Sequence, residues 1–143
     1  MGMIVFQYSN EMYQRDIDII IDSLVDTKIH IIAPMFGALP MATKIRNRLK
    51  CKVSLVKMST YYGNDEKASW VYEDDIQEDE ELIIVDDLYD TGKTFKEVMD
   101  LVRKGFPDNK IRAISLHGNK HSPSWLWYVN EYPGEWIEYE TWE

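Results

Sequence analysis

Leu82-Ile83-Ile84-Val85-Asp86-Asp87-Leu88-Tyr89-Asp90-Thr91-Gly92-Lys93-Thr94 is the stretch whose reading decides the fold. Four aliphatic residues run straight into two acids. A third acid and a small, hydroxyl-bearing turn with a glycine follow, and then a helical pattern begins. An aliphatic run this short and this pure predicts a strand buried on both faces of a parallel sheet. Open α/β sheets bind ligands at the carboxyl ends of such strands, which is where the acids fall.

The turn has a physical use of its own. Thr91 to Thr94 offers backbone N–H groups, two hydroxyls and a lysine at a predicted helix start. Unpaired N–H groups and the positive end of the helix dipole together make a phosphate site. Carboxylates just before such a cradle would repel the ligand unless they bind something else. Ribose hydroxyls and Mg²⁺ suit them, as a donor of hydrogen bonds and a seeker of oxygen ligands. The implied ligand is a sugar phosphate gripped at both ends, with a metal nearby. The plain alternative is an acidic strand-end loop that happens to hold a glycine, which requires the acids, the turn and the flanking strand to coincide. Gly92-Lys93-Thr94 also suggests a Walker A loop, but that loop needs a glycine where Asp87 stands.

Composition narrows the classes. A chain of 143 residues is one domain with room for a core, read here as residues 1–143 with a core to about 116 and a hood from 117. Hydrophobic residues at 45% and charged residues at 29% are ordinary for a globular protein. A formal net charge of −9, without a basic stripe, argues against nucleic acid. A polyphosphate substrate would need local cations for the same reason. Cys51 is the single cysteine, so a disulfide framework is excluded and a reducing, cytoplasmic location is expected. No signal-peptide pattern or apolar run of membrane-spanning length is read, and no membrane partner is expected. His30, His117 and His121 lack metal-site spacing.

The remaining elements follow in order. Met3 to Tyr8 predicts a strand, and Ser9 or Asn10 caps a helix through about Val25. Its core stripe is Tyr13, Ile17, Ile20, Ile21 and Leu24. Lys28 to Ala33 predicts a strand, Pro34 to Pro40 a loop, Met41 to Lys50 a basic helix and Lys52 to Met58 another strand. Ser59 to Glu80 is acidic and has no consistent period, which predicts a lid or disorder, with Ser69 to Tyr72 as one strand of a small flap. Phe95 to Arg103 predicts a helix stopped at Gly105-Phe106-Pro107, and Lys110 to Leu116 a strand. The alternation predicts an α/β fold: a mostly parallel sheet, right-handed crossovers and helices on both faces. Four of the five tryptophans fall in the last nineteen residues, which suggests an aromatic hood or interface.

The central stretch resembles the 5-phosphoribosyl-1-pyrophosphate (PRPP) signature of type I phosphoribosyltransferases: aliphatic strand, two acids, two spacers, then Asp-Thr-Gly-x-Thr. The resemblance implies that Asp86 and Asp87 hold the ribose hydroxyls, with Asp87 also meeting Mg²⁺. It implies Asp90 as general acid/base, and Thr91, Gly92, Lys93 and Thr94 as the 5-phosphate cradle. Pro34 to Pro40 then matches the pyrophosphate loop. Counting back from Pro40 sets Met35 at the family's arginine and Phe36 at its first glycine, leaving Gly37 and Pro40 as kept positions. That loop often carries a non-proline cis peptide in the family. Lys67 falls where a mobile loop brings a basic residue over pyrophosphate.

Trp136-Ile137-Glu138-Tyr139-Glu140-Thr141-Trp142-Glu143 is similar to the C-terminus of bacterial xanthine–guanine phosphoribosyltransferases. By that resemblance Trp136 stacks on the purine and Ile137 meets its edge. His117 stands where a lysine donates to the 6-oxygen. The family's reaction would join a 6-oxopurine (guanine, xanthine or hypoxanthine) to PRPP and release pyrophosphate, in a homo-dimer or homo-tetramer. The alternatives are a same-fold transferase with another nucleobase, a non-catalytic PRPP-binding regulator, and an interaction module built on the aromatic tail.

Overall fold

A computed structural model describes residues 5–25, 27–61, 65–89, 92–131 and 136–139. The elements are β1 (Val5–Tyr8), α1 (Asn10–Leu24), β2 (Ile29–Pro34), α2 (Leu39–Leu49), β3 (Lys52–Tyr61), β4 (Asp65–Tyr72), β5 (Glu81–Leu88), α3 (Lys93–Gly105), β6 (Ile111–Gly118), β7 (Leu126–Glu131) and β8 (Trp136–Tyr139). Six strands form the main sheet in the order β4-β3-β2-β5-β6-β7. Every neighbouring pair is parallel except β3 with β4. A separate parallel ribbon joins β1 to β8.

The decisive strand behaves as its sequence requires. Leu82, Ile83, Ile84 and Val85 are all fully enclosed, because β5 lies inside the sheet and both faces are covered. Ile83 and Val85 pack with Ile17, Ile20 and Ile21 of α1 and Ile45 of α2, while Leu82 and Ile84 pack with Phe95, Val98 and Val102 of α3. Each such side chain taken from water stabilises the fold by about 1.5–3 kcal/mol. The expected two-faced sheet is therefore present.

Chain order fixes where a ligand can enter. From β2 the chain moves outward to β3 on one side, and from β5 it moves outward to β6 on the other. The crevice between the ends of β2 and β5 is a topological switch point, the usual binding place of open α/β sheets. Ser9 caps α1, its Oγ accepting from the Met12 N–H at 3.1 Å. Gly92 caps α3 with φ at 82°, a left-handed conformation that glycine adopts without steric cost.

Two expectations change in the structure. Ser59 to Glu80 is not a structureless lid over its length: β3 runs on to Tyr61, and β4 returns antiparallel to it, with Ser59 opposite Lys67 and Val56 opposite Trp70. The strand reaches well beyond Ser69 to Tyr72. It was hidden because it is an edge strand: Val71 and Tyr72 are exposed, and of its described side chains Ala68 and Trp70 meet the core. Backbone pairing sets its register, so the apolar pattern stays weak. Within the segment read as a hood, β7 lies on β6 as the edge of the main sheet, and β8 alone joins β1.

Candidate active site

The acids of β5 end at the switch point. Asp86 and Asp87 are both half-buried there, and the Asp87 N–H donates to Asp86 Oδ1 at 2.9 Å. Burial pushes the Asp86 carboxyl well above its ordinary range, and the neighbouring charge of Asp87 pushes it further. A hard divalent ion with oxygen preference suits the donor set of two carboxylates held this close.

The loop after β2 faces these acids. Its Met35 N–H is tied to Val56 O at 2.7 Å, and the Met35–Phe36 peptide is cis. Phe36, at the position the family fills with glycine, accepts that geometry with its side chain 74% exposed. Gly37 then passes over the acid pair. A Cβ on Gly37 would lie 3.7 Å from Asp86 Oδ1 and 3.8 and 3.9 Å from the two Asp87 carboxylate oxygens. The absence of a side chain leaves that space open above both carboxylates.

On the other side of the acids, α3 begins at its glycine. A Cβ on Gly92 would stand 2.3 Å from Tyr89 Oη, so glycine is required both by φ and by the tyrosine folded back over it. Lys96 N donates to Gly92 O at 2.9 Å to open the helix, whose first turn carries Lys93 and Thr94. Asp90 and Thr91 lie outside the described residues. Asp86, Asp87, Gly37, Gly92, Lys93 and Thr94 thus belong to the loops and strand end that flank one crevice.

The four other expected residues lie on β4, β6 and β8. Lys67 is on the outer face of β4, 63% exposed, with Nζ 3.9 Å from Glu97 Oε2 of α3, rather than over Gly37. The His117 ring is only 1% exposed. It packs edge-on against Tyr8 with ring centroids 4.8 Å apart and against Phe6 at 6.3 Å. Burial lowers its pKa, against the opposing pull of Asp16 and Asp87. The His117 carbonyl receives the Tyr89 N–H at 2.9 Å and the Ser115 hydroxyl at 2.8 Å. Trp136 aligns with Val5 and Ile137 with Phe6 along the ribbon, Ile137 being buried; the Trp136 side chain lies outside what is described.

The structure adds residues that the sequence reading passed over. Asp16 of α1 is buried and accepts hydrogen bonds from Arg15 Nε at 2.9 Å, Asn130 Nδ2 at 2.7 Å and the Tyr8 hydroxyl. Burial raises the Asp16 pKa, but these bonds outweigh it and hold the carboxyl below its usual value. Tyr13, beside it on α1, has its phenol pushed upward by burial and by the charge of Asp87. A signal was available: Asp16 interrupts the apolar stripe at i+3 from Tyr13 and i−4 from Ile20.

The family model described as phosphoribosyl transferase domain matches residues 9–133. Among solved structures, the xanthine-guanine-hypoxanthine phosphoribosyltransferase of Helicobacter pylori superposes with a TM-score of 0.79 at 16% identity, over 95% of this chain and 92% of its own. A purine phosphoribosyltransferase of Pyrococcus horikoshii gives 0.79 at 25% identity, over 99% and 95%. An adenine phosphoribosyltransferase of Thermoanaerobacter pseudethanolicus gives 0.64 at 19% identity, over 85% and 81%. The comparison with curated proteins finds no match. No helix among the described residues is long and apolar enough to cross a membrane.

Proposed function

The chain belongs to the phosphoribosyl transferase domain family, and from that premise we propose that it moves the phosphoribosyl group of PRPP onto a 6-oxopurine, releasing pyrophosphate. The observation that carries this reading is the convergence of Asp86 and Asp87, Gly37 and the Gly92 start of α3 on one switch-point crevice. The similarity to purine enzymes of Helicobacter and Pyrococcus supports a purine acceptor, and the tryptophan-bearing tail favours the 6-oxopurine branch over the adenine one.

In this mechanism the C1–pyrophosphate bond of PRPP breaks as a purine nitrogen bonds to C1, through a transition state with oxocarbenium character. The Gly92, Lys93 and Thr94 end of α3, with Thr91, holds the 5-phosphate by N–H groups, hydroxyls and the helix dipole. Asp86 and Asp87 accept from the ribose hydroxyls, and Asp87 would also hold Mg²⁺, which when bound would supply positive charge against that of the pyrophosphate. Met35, Phe36 and Gly37 contact that leaving group through backbone, since no side-chain cation stands in the loop. Lys67 would add one only after leaving Glu97. Asp90 exchanges a proton with N7 of the base. Trp136 stacks on the purine, Ile137 meets its edge by backbone, and His117 backs the subsite as a neutral ring without fixed charge.

The test is nucleotide formation from PRPP and Mg²⁺ with guanine, xanthine, hypoxanthine and adenine offered separately. Product with a 6-oxopurine, lost in Asp90→Asn, is the expected result. Product with adenine alone would overturn the choice of base. No product from any base, with PRPP still bound by calorimetry, would replace the enzyme with a PRPP-binding regulator.

A further inference from the structure

Besides the burial of Ile137 in the core, two ties among the described residues hold the ribbon strand β8, which carries Trp136, to the body of the protein. One is backbone pairing to β1, from Val5 with Trp136 to Tyr8 with Tyr139, supplemented by Gln7 Nε2 donating to Glu138 Oε2 at 3.1 Å. The other is covalent: β8 follows β7, and Asn130 of β7 lies six positions before Trp136. Both ties end on the same carboxylate. Tyr8, the last residue of β1, donates its hydroxyl to Asp16 Oδ2, and Asn130 donates to that same oxygen at 2.7 Å. Asn130 Nδ2 also donates to Leu116 O at 3.2 Å, which fixes it to the end of β6 beside His117.

Asp16 itself sits on the second turn of α1, which packs against the main sheet. It is 1% exposed. A charge withdrawn from water costs free energy unless several donors meet it, and a core of apolar residues would stabilise the fold as well. A carboxylate here does what an apolar residue would not: it ties three elements by directional bonds. Arg15 occupies its other oxygen at 2.9 Å, leaving Oδ2 to the two donors from β1 and β7.

We propose that Asp16 is the positioning residue of the base subsite, clamping both attachments of the β8 ribbon so that the hood is held at a fixed place relative to the Asp86–Asp87 crevice. The proposal rests on the reading of β8 as the base-stacking strand. Its consequence is a separation of substrates: loosening the clamp moves the wall that meets the base and leaves the PRPP cradle on β5 and α3 in place.

Asp16→Asn keeps the volume but leaves one acceptor oxygen, with an NH2 donor in place of the other, where Arg15, Tyr8 and Asn130 all donate, and Tyr8→Phe removes one donor with the least disturbance of folding. In each, the KM for the base is expected to rise, by about tenfold in Asp16→Asn, while the KM for PRPP stays within about twofold. Amide hydrogen exchange of the full-length protein should quicken at 136–139 and stay unchanged at 82–86. Equal movement of both KM values, or faster exchange spread evenly over β5 and β8, would overturn the proposal in favour of a general role in stability. If Asp16→Asn does not fold, Tyr8→Phe decides by the same two readouts. If the unmodified protein converts no base, the transferase reading fails on that result, and the exchange pattern alone still decides whether Asp16 holds the ribbon.

Discussion

Two glycines illustrate how single residues divide between shaping the site and permitting the fold. At Gly37 an added methyl meets carboxylate oxygens at ordinary contact distances of 3.7–3.9 Å, so nothing in the backbone has to shift. Gly37→Ala should therefore melt within about 0.5 kcal/mol of the parent, as surface substitutions do. The same methyl occupies the space over both acids, and kcat/KM for PRPP should fall by at least about tenfold. Unchanged kinetics would remove Gly37 from the site. Gly92 is the opposite case. With φ at 82° and Tyr89 Oη 2.3 Å from the position of a Cβ, Gly92→Ala combines left-handed strain with a clash. A loss of about 2 kcal/mol in urea unfolding is expected, and a variant of parental stability would show that the turn relaxes freely.

At the level of elements, the flap formed by β3 and β4 is fastened at its root, at the end of the sheet away from the crevice. His30 of β2 lies 2.7 Å by Nε2 from Ser54 Oγ of β3 and 3.3 Å by Nδ1 from Glu80 Oε1. Ser54 Oγ accepts the Asp74 N–H at 2.8 Å, and Glu80 Oε1 accepts from Gln77 N at 2.7 Å and pairs with Lys52 Nζ at 3.2 Å. Residues 73–80, which have no regular structure, are thus pinned by side chains rather than by a ladder. An ionised Glu80 accepts only, so Nδ1 of His30 donates and Nε2 is left to receive the Ser54 hydroxyl.

Burial lowers the His30 pKa, partly offset by Glu80 and Asp74 and reinforced by Lys52. The folded chain therefore refuses a proton that the unfolded chain takes up below about pH 6.5. His30 contributes stability that is intact above that pH and declines as pH falls through it, by about 1.4 kcal/mol per pH unit for one proton. His117 acts in the same direction. Urea unfolding at pH 7 and pH 5 should show the decline, and His30→Gln should flatten part of it. An identical slope in the variant would exclude His30 as a source.

The whole molecule carries a formal charge of −9 and presents two acids where a polyphosphate would enter. Binding of PRPP alone should consequently be weak, and PRPP with Mg²⁺ should raise the melting temperature. A ligand at a hundred times its Kd adds about 2.7 kcal/mol to the folded state. A full shift with PRPP in chelator would mean that local cations of the chain suffice and that the metal is not needed for binding. The molecule's two-layer cover of helices also explains why the crevice can be rigid: β2 and β5, whose ends form it, are the two central strands, locked on both faces.

The central strand, its acids and the helix after them were legible in the sequence because their signals are local. An unbroken aliphatic run, a glycine turn and a 3.6-residue period each act within a few positions. The parallel sheet followed from element order, and the likeness of the Pro34–Pro40 loop to a pyrophosphate loop pointed to its place beside the acids. The catalytic and base-stacking assignments to Asp90 and Trp136 rest on sequence alone. Tertiary structure decided the rest. It made β4 an edge strand whose pairing hides its pattern, sent Lys67 to Glu97, and enclosed His117 between Phe6 and Tyr8. Most of all, it joined Asp16 to Asn130 across 114 positions. No local pattern encodes that bond, because the free energy of burying a charge is settled by whichever distant donors the finished fold brings to it.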